Sequence, residues 1–155
     1  MIGECGLDRC CDTPWQLQLE AFEWQIVLAE RLRKPLVVHC VRAFNDLLAL
    51  RKRYSATPWV VHGFTGSAEL YGQMLDHGIE ASFGAAILDP RRKKVRDTLA
   101  SANPLNIFLE TDDSGANIAE VYASAARQLK IEESRLRNII HCHYNRLLST
   151  GTTTG

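Results

Sequence analysis

Two stretches of this sequence end in the same way. Leu36-Val37-Val38 runs into His39, and Trp59-Val60-Val61 runs into His62. Both are short apolar runs without alternation, the signature of strands covered on both faces, as in a parallel sheet. Each is followed by residues at helical spacing: Phe44, Leu47, Leu48 and Arg51 after the first, Leu70, Met74 and Leu75 after the second. A strand–helix unit that repeats narrows the fold to an α/β class with a parallel sheet.

The rest of the chain extends the pattern. Thr13 is placed to cap a helix over 14–33, with Pro14 at its first position and Gln16 closing a capping box; Leu19, Phe22, Ile26 and Ala29 form its apolar face. A second helix is expected over 43–54. Ser67 caps a third, which Gly78 stops in a left-handed turn. Ile79 to Phe83 reads as a strand. Asp89-Pro90 opens a fourth helix to about 101, Asn106 to Glu110 is another strand, and helices follow over 116–130 and 133–149. Strand ends are expected near Glu4, His39, His62, Phe83 and Asp112, each interval long enough for a crossover helix of a dozen or more residues. No linker interrupts this order, so residues 1–148 read as one domain and 149–155 as a disordered tail.

Composition sets limits on partners. Eighteen basic side chains balance eighteen acidic ones in 155 residues, which excludes nucleic-acid binding held by bulk charge. No run is long enough to cross a membrane. Five cysteines, an odd count without C-x-x-C spacing, suit a reducing, cytoplasmic setting and incidental or structural thiols.

The strand ends carry the chemistry. In parallel α/β folds the carboxyl ends of the strands gather on one face, and that face holds the site. Glu4, His39, His62 and Asp112 fall there, a set of two imidazoles and two carboxylates that suits a divalent cation and leaves Mg, Mn and Zn open. Asp8, four residues after Glu4, is placed to steady the loop beside it. His141-Cys142-His143 has the look of a metal cluster, but it lies on a helix and His143 fits the apolar register, so it reads as structural. The basic run Arg91-Arg92-Lys93-Lys94 with Arg96 reads as a solvated helix face. Arg42 reads the same way.

Five segments in order resemble the TatD family of metal-dependent hydrolases. They are Ile2-Gly3-Glu4-Cys5-Gly6-Leu7-Asp8, Gln25 to Ala43, His62-Gly63-Phe64-Thr65-Gly66-Ser67, Leu109-Glu110-Thr111-Asp112 and Asn145-Arg146-Leu147-Leu148. The resemblance implies a (β/α)8 barrel with one or two divalent ions that hydrolyses phosphodiesters, commonly as a deoxyribonuclease. It implies that Glu4 bridges two ions, that His39 and His62 complete the second site, and that Asp112 binds the first ion and helps activate water. Glu4 and Asp112 are thus the implied catalytic residues.

Two departures qualify it. The family's opening strand ends in H-x-H and supplies two ligands to the first ion, whereas this sequence starts within the segment that corresponds to the fourth strand. The expectation is therefore an incomplete TIM-like barrel of about five parallel strands, truncated by the N-terminal third, with reduced or absent hydrolysis and open edges that allow self-association. The alternative is an inactive remnant or assembly partner that completes its barrel with another chain. Locally, many family members read H-x-R, but Val41 stands at the arginine's place and Arg42 follows it.

Overall fold

A computed structural model describes residues 1–149. Five strands alternate with helices: β1 (Ile2–Asp8), α1 (Trp15–Leu32), β2 (Leu36–Val41), α2 (Phe44–Arg53), β3 (Trp59–Val61), α3 (Ala68–Asp76), β4 (Ile79–Phe83), α4 (Lys93–Ser101), β5 (Ile107–Leu109), α5 (Ile118–Leu129) and α6 (Glu133–Ser149). The sheet is parallel throughout and its spatial order is the chain order, β1-β2-β3-β4-β5. The parallel sheet is the one that the repeat anticipates, and the whole is the incomplete α/β barrel that the resemblance implies. The tail expected over 149–155 lies, from residue 150 on, outside the described residues, while Ser149 closes α6.

Strand periodicity decides which face each residue meets. Leu36 and Val38, Trp59 and Val61, Ile79, Ala81 and Phe83, and Ile107 join one core cluster. They meet Phe22 and Ile26 of α1, Leu47 of α2, Met74 of α3, Leu99 of α4 and Val121 of α5 there. Trp59, fully buried, lies with its ring 5.5 Å from that of Phe22. Each large apolar side chain so enclosed contributes about 1.5–3 kcal/mol relative to exposure. The intervening residues, including Val37, His39, Glu80 and Phe108, face the other way, toward what would be a barrel interior.

That inner face is not left bare. His143 of α6 bonds Glu80 (Nε2 to Oε1, 3.0 Å) and lies 4.6 Å, ring to ring, from Phe108. The last helix thus reaches past the sheet edge and covers part of the inner surface, and Val60 is only 4% exposed. His143 is structural, as its register indicates.

Several boundaries differ from expectation. β1 runs on to Asp8, so Glu4 sits within a strand, at a register shift between Ile2 and Cys5. α1 has no side-chain cap: Pro14 occupies the cap position, and its carbonyl accepts from the Leu17 and Gln18 N–H groups. Gln18, not Gln16, reaches back, accepting from the Asp8 N–H and donating to the Asp8 and Thr13 carbonyls. Asp89 starts a turn by accepting from the Arg91 N–H, and α4 begins only at Lys93. Ser67 does cap α3, accepting from Leu70 N–H at 3.3 Å, and Gly78 (φ 67°) follows its end.

Candidate metal centre

Three of the four residues expected at the strand ends converge. Glu4 Oε1 lies 3.0 Å from His39 Nδ1 and 2.9 Å from His62 Nε2, and the two nitrogens are 3.1 Å apart. Among the described residues this is the group of histidine, cysteine or carboxylate side chains arranged to hold an ion.

The backbone brings them there by distinct routes. Glu4 follows the register shift of β1. Gly6 then pairs with His39, and a Cβ at Gly6 (φ 150°) would lie 1.9 Å from the His39 carbonyl oxygen. Only a glycine lets β1 approach β2 closely enough to set the carboxylate against the imidazole. His62 leaves β3 by one residue, and its N–H donates to the Val38 carbonyl at 3.0 Å, which keeps it beside β2.

The donor set fits a divalent cation. Ligands about 2.1 Å from an ion and at right angles to one another are about 3.0 Å apart, the spacing of this triangle. A neutral imidazole carries one N–H, so three lone-pair atoms this close need a shared cation or proton between them. Two imidazoles with one carboxylate on a single side of the ion also match a recurrent facial arrangement that leaves other positions open.

Outer partners orient the rings. His39 Nε2 faces Asp8 Oδ2 at 3.4 Å, which places the proton on Nε2 and leaves Nδ1 to the triangle. Asp8 also accepts from the Cys10 N–H at 2.6 Å. His62 Nδ1 faces Glu110 Oε1 at 3.8 Å, and that oxygen accepts from the Gly63 N–H at 2.5 Å. The side chains are 50% (Glu4), 34% (His39) and 12% (His62) exposed, so the triangle is open on the Glu4 side.

Asp112 is placed differently. It is exposed beyond the end of β5, in a left-handed conformation (φ 47°) within a turn where Ser114 donates to the Thr111 carbonyl, and it is not part of the triangle. Glu110, two residues earlier in the same segment, is the carboxylate that reaches the site. Sequence reasoning passes over it, although its position next to the last residue of β5 is the available signal. Asp8, expected to steady the loop after Glu4, does so and also orients His39.

The cysteines stay outside the triangle. All five are free. Burial pushes the Cys5 and Cys40 thiols up to about 12, with the nearby Glu4 carboxylate adding to the effect at Cys5. His141 is exposed and meets Asn145, so the His141-Cys142-His143 segment gathers no ligands.

Comparison with known proteins agrees with the geometry. The family described as TatD related DNase matches residues 1–148. The chain is 34% identical over 116 residues to the uncharacterized metal-dependent hydrolase YjjV of Escherichia coli, covering 72% of this chain and 44% of that protein. It is 38% identical over 121 residues to the 3'-5' ssDNA/RNA exonuclease TatD of Klebsiella pneumoniae, again 72% and 44%. The crystal structure of the E. coli YjjV protein superposes with a TM-score of 0.87 at 28% identity, over 95% of this chain and 62% of that one. The chain therefore spans less than half the length of these curated relatives. With the repeat, the triangle and this match in agreement, the chain belongs to the TatD-related DNase family.

Proposed function

We propose that this chain carries the Glu4, His39 and His62 half of a metal-dependent phosphodiesterase site that acts on nucleic acid. The single observation that carries the reading is the ligand triangle with sides of 2.9 to 3.1 Å. By the family resemblance, Glu4 would also serve a further ion position, with Asp112 as the second carboxylate. Relatives named as a 3'-5' ssDNA/RNA exonuclease and a 3'-5' RNA nuclease favour a single-stranded DNA or RNA substrate.

A divalent ion in the triangle, Mg, Mn or Zn, would lower the pKa of water bound to it toward neutrality and offset charge on the phosphoryl oxygens. The residues' own work is to hold and orient. His39 presents Nδ1 because Asp8 holds Nε2–H, and His62 presents Nε2 because Nδ1–H faces Glu110. Glu4 contributes negative charge. Asp112, exposed beyond the end of β5, would be the group to accept a proton from the attacking water. With one complete ligand set, these 155 residues assayed alone are expected to hydrolyse slowly.

The test is metal content and affinity. The purified chain is expected to bind one divalent ion, His62→Ala to lose at least about 100-fold in affinity, and Asp8→Asn about 10- to 100-fold through loss of ring orientation. An ion-free wild-type chain, or DNA cleavage indifferent both to chelator and to His62→Ala, would refute the assignment.

A second reading rests on the sheet edges. β1 and β5 each pair on one side only among the described residues, so the chain is suited to complete its sheet with another chain, acting as an assembly partner. Among the described residues no helix is long and apolar enough to cross a membrane, and free thiols suit the cytoplasm.

A further inference from the structure

Three adjoining cavities run past His62 and share their walls. One of about 480 Å³ is lined by His62, Arg42, Phe44, Phe64, Thr65 and Lys94. A second, of about 470 Å³, shares Arg42 and Phe44 with it and adds Arg9 and Asp46. A third, of about 270 Å³, shares Thr65 and Lys94 and adds Arg92. Shared walls make these one groove with His62 on its central cavity, while Glu4 and His39 of the triangle line a separate cavity. Four cations line it against one carboxylate, in a chain whose overall charge is zero.

The cations are not equivalent. Arg9 is bound to Asp46 at 2.7 Å. Just outside the groove, Arg91 is held by Asp89 at 2.9 Å, and Arg96 of the same basic run donates to the Ile87 carbonyl at 2.7 Å. The Arg42 and Lys94 side chains are exposed and have no ion-pair or hydrogen-bond partner among the described residues, and both line the cavity at His62, one from the β2–α2 turn and one from the first turn of α4. Arg42 moreover has φ 52°, a conformation that side chains other than glycine rarely adopt. A free guanidinium on a strained turn, lining one cavity with a free ammonium and a metal-ligand histidine, is an arrangement suited to an anion.

We propose that Arg42 and Lys94 form a phosphate grip that holds one backbone phosphate of a single-stranded nucleic acid while a neighbouring phosphodiester lies at the metal centre. This rests on the phosphodiesterase reading and deepens it, since it makes a polymer strand the preferred substrate over a mononucleotide. Length is what the groove offers, with a basin on each side of the one at His62. Phe44, half-buried on its wall, offers a face on which a base can stack.

The experiment separates this grip from the metal centre by measuring binding in excess chelator. The probe is a fluorescent oligodeoxythymidine of about ten nucleotides, followed by anisotropy across a salt series. For single strands the logarithmic salt slope falls by about 0.7 for each phosphate that the protein no longer neutralises. Arg42→Glu with Lys94→Glu is expected to weaken binding at least tenfold and to lower the slope by about 0.7, the share of the one phosphate they hold. Arg91→Glu, a charge change outside the groove, is expected to leave both unchanged. Arg42→Gly guards against a folding artefact. It relieves the left-handed backbone, so it is expected to melt no lower than wild type yet to bind more weakly. Wild-type affinity and slope in the double variant overturn the proposal, as does equal loss in Arg91→Glu, which would mark diffuse surface charge. Absence of any oligonucleotide binding by the wild type also overturns it. Metal content measured on the same preparation reports separately on the triangle.

Discussion

Gly6 shows how much of the site depends on one missing side chain. Its Cβ would overlap the His39 carbonyl, and its φ of 150° strains any L side chain. Gly6→Ala is expected to cost about 2 kcal/mol or more, as β1 moves away from β2. The measurement is urea unfolding together with metal titration, and both are expected to fall, since Glu4 moves with the strand. The thiols give a second check at this scale. Cys10, Cys11 and Cys142 are exposed and are expected to react with a disulfide reagent in the native state, whereas Cys5 and Cys40, protonated up to about pH 12, are expected to wait for denaturant. The linkage has a definite sign. A thiol raised from 9.0 to about 12 adds stability that is fully present below pH 9 and is lost as pH rises toward 12. The urea midpoint is therefore expected to hold below pH 9 and to decline above it.

At the scale of elements, α2 is tied down by an arginine that reads from sequence as an ordinary position on a helical stripe. Arg51 is 8% exposed, and burial lowers its pKa. Its guanidinium donates to four backbone carbonyls: Thr57 (2.7 Å), His77 (2.9 Å), Tyr54 (3.2 Å) and Gly78 (3.3 Å). One side chain thus joins the end of α2, the start of β3 and the turn between α3 and β4. Arg51→Met fills similar volume but leaves those carbonyls without their donor. It is expected to destabilise by about 3 kcal/mol, and Arg51→Lys is expected to recover only part, because an ammonium does not reproduce the fork. Denaturant midpoints of the two variants decide this. Helix positions are legible because apolar residues recur every three or four places. The caps are less so. Thr13 loses its expected role because Pro14 sits at the cap position and Gln18 closes the turn against Asp8. A side chain ten residues away wins over the local motif.

For the whole molecule, the described residues form a five-stranded sheet whose β1 and β5 each pair on one side only, and the chain covers 62% of the length of the related E. coli structure that it matches with a TM-score of 0.87. Edge strands with free N–H and C=O groups favour pairing with another chain. Sedimentation or size-exclusion is expected to show concentration-dependent association of these 155 residues, and a strictly monomeric chain at all concentrations would argue against the assembly-partner reading. The inner face is partly covered by α6 through His143 and Glu80.

The alternation of strand and helix, and the presence of Glu4, His39 and His62 beside the strands, follow from the order of residues alone. Hydrophobic period and turn chemistry are local properties, and a resemblance in five ordered segments reinforces them. Which carboxylates stand near the histidines is settled only by the folded chain. Asp8 and Glu110 take up positions against His39 and His62, while Asp112, in a left-handed turn, is not part of the ligand group. Arg42 and Lys94, 52 positions apart in the chain, line one cavity in the same way. Such distances depend on how strands register and how helices pack over them, and those are sums of many non-local interactions that no short window of sequence contains.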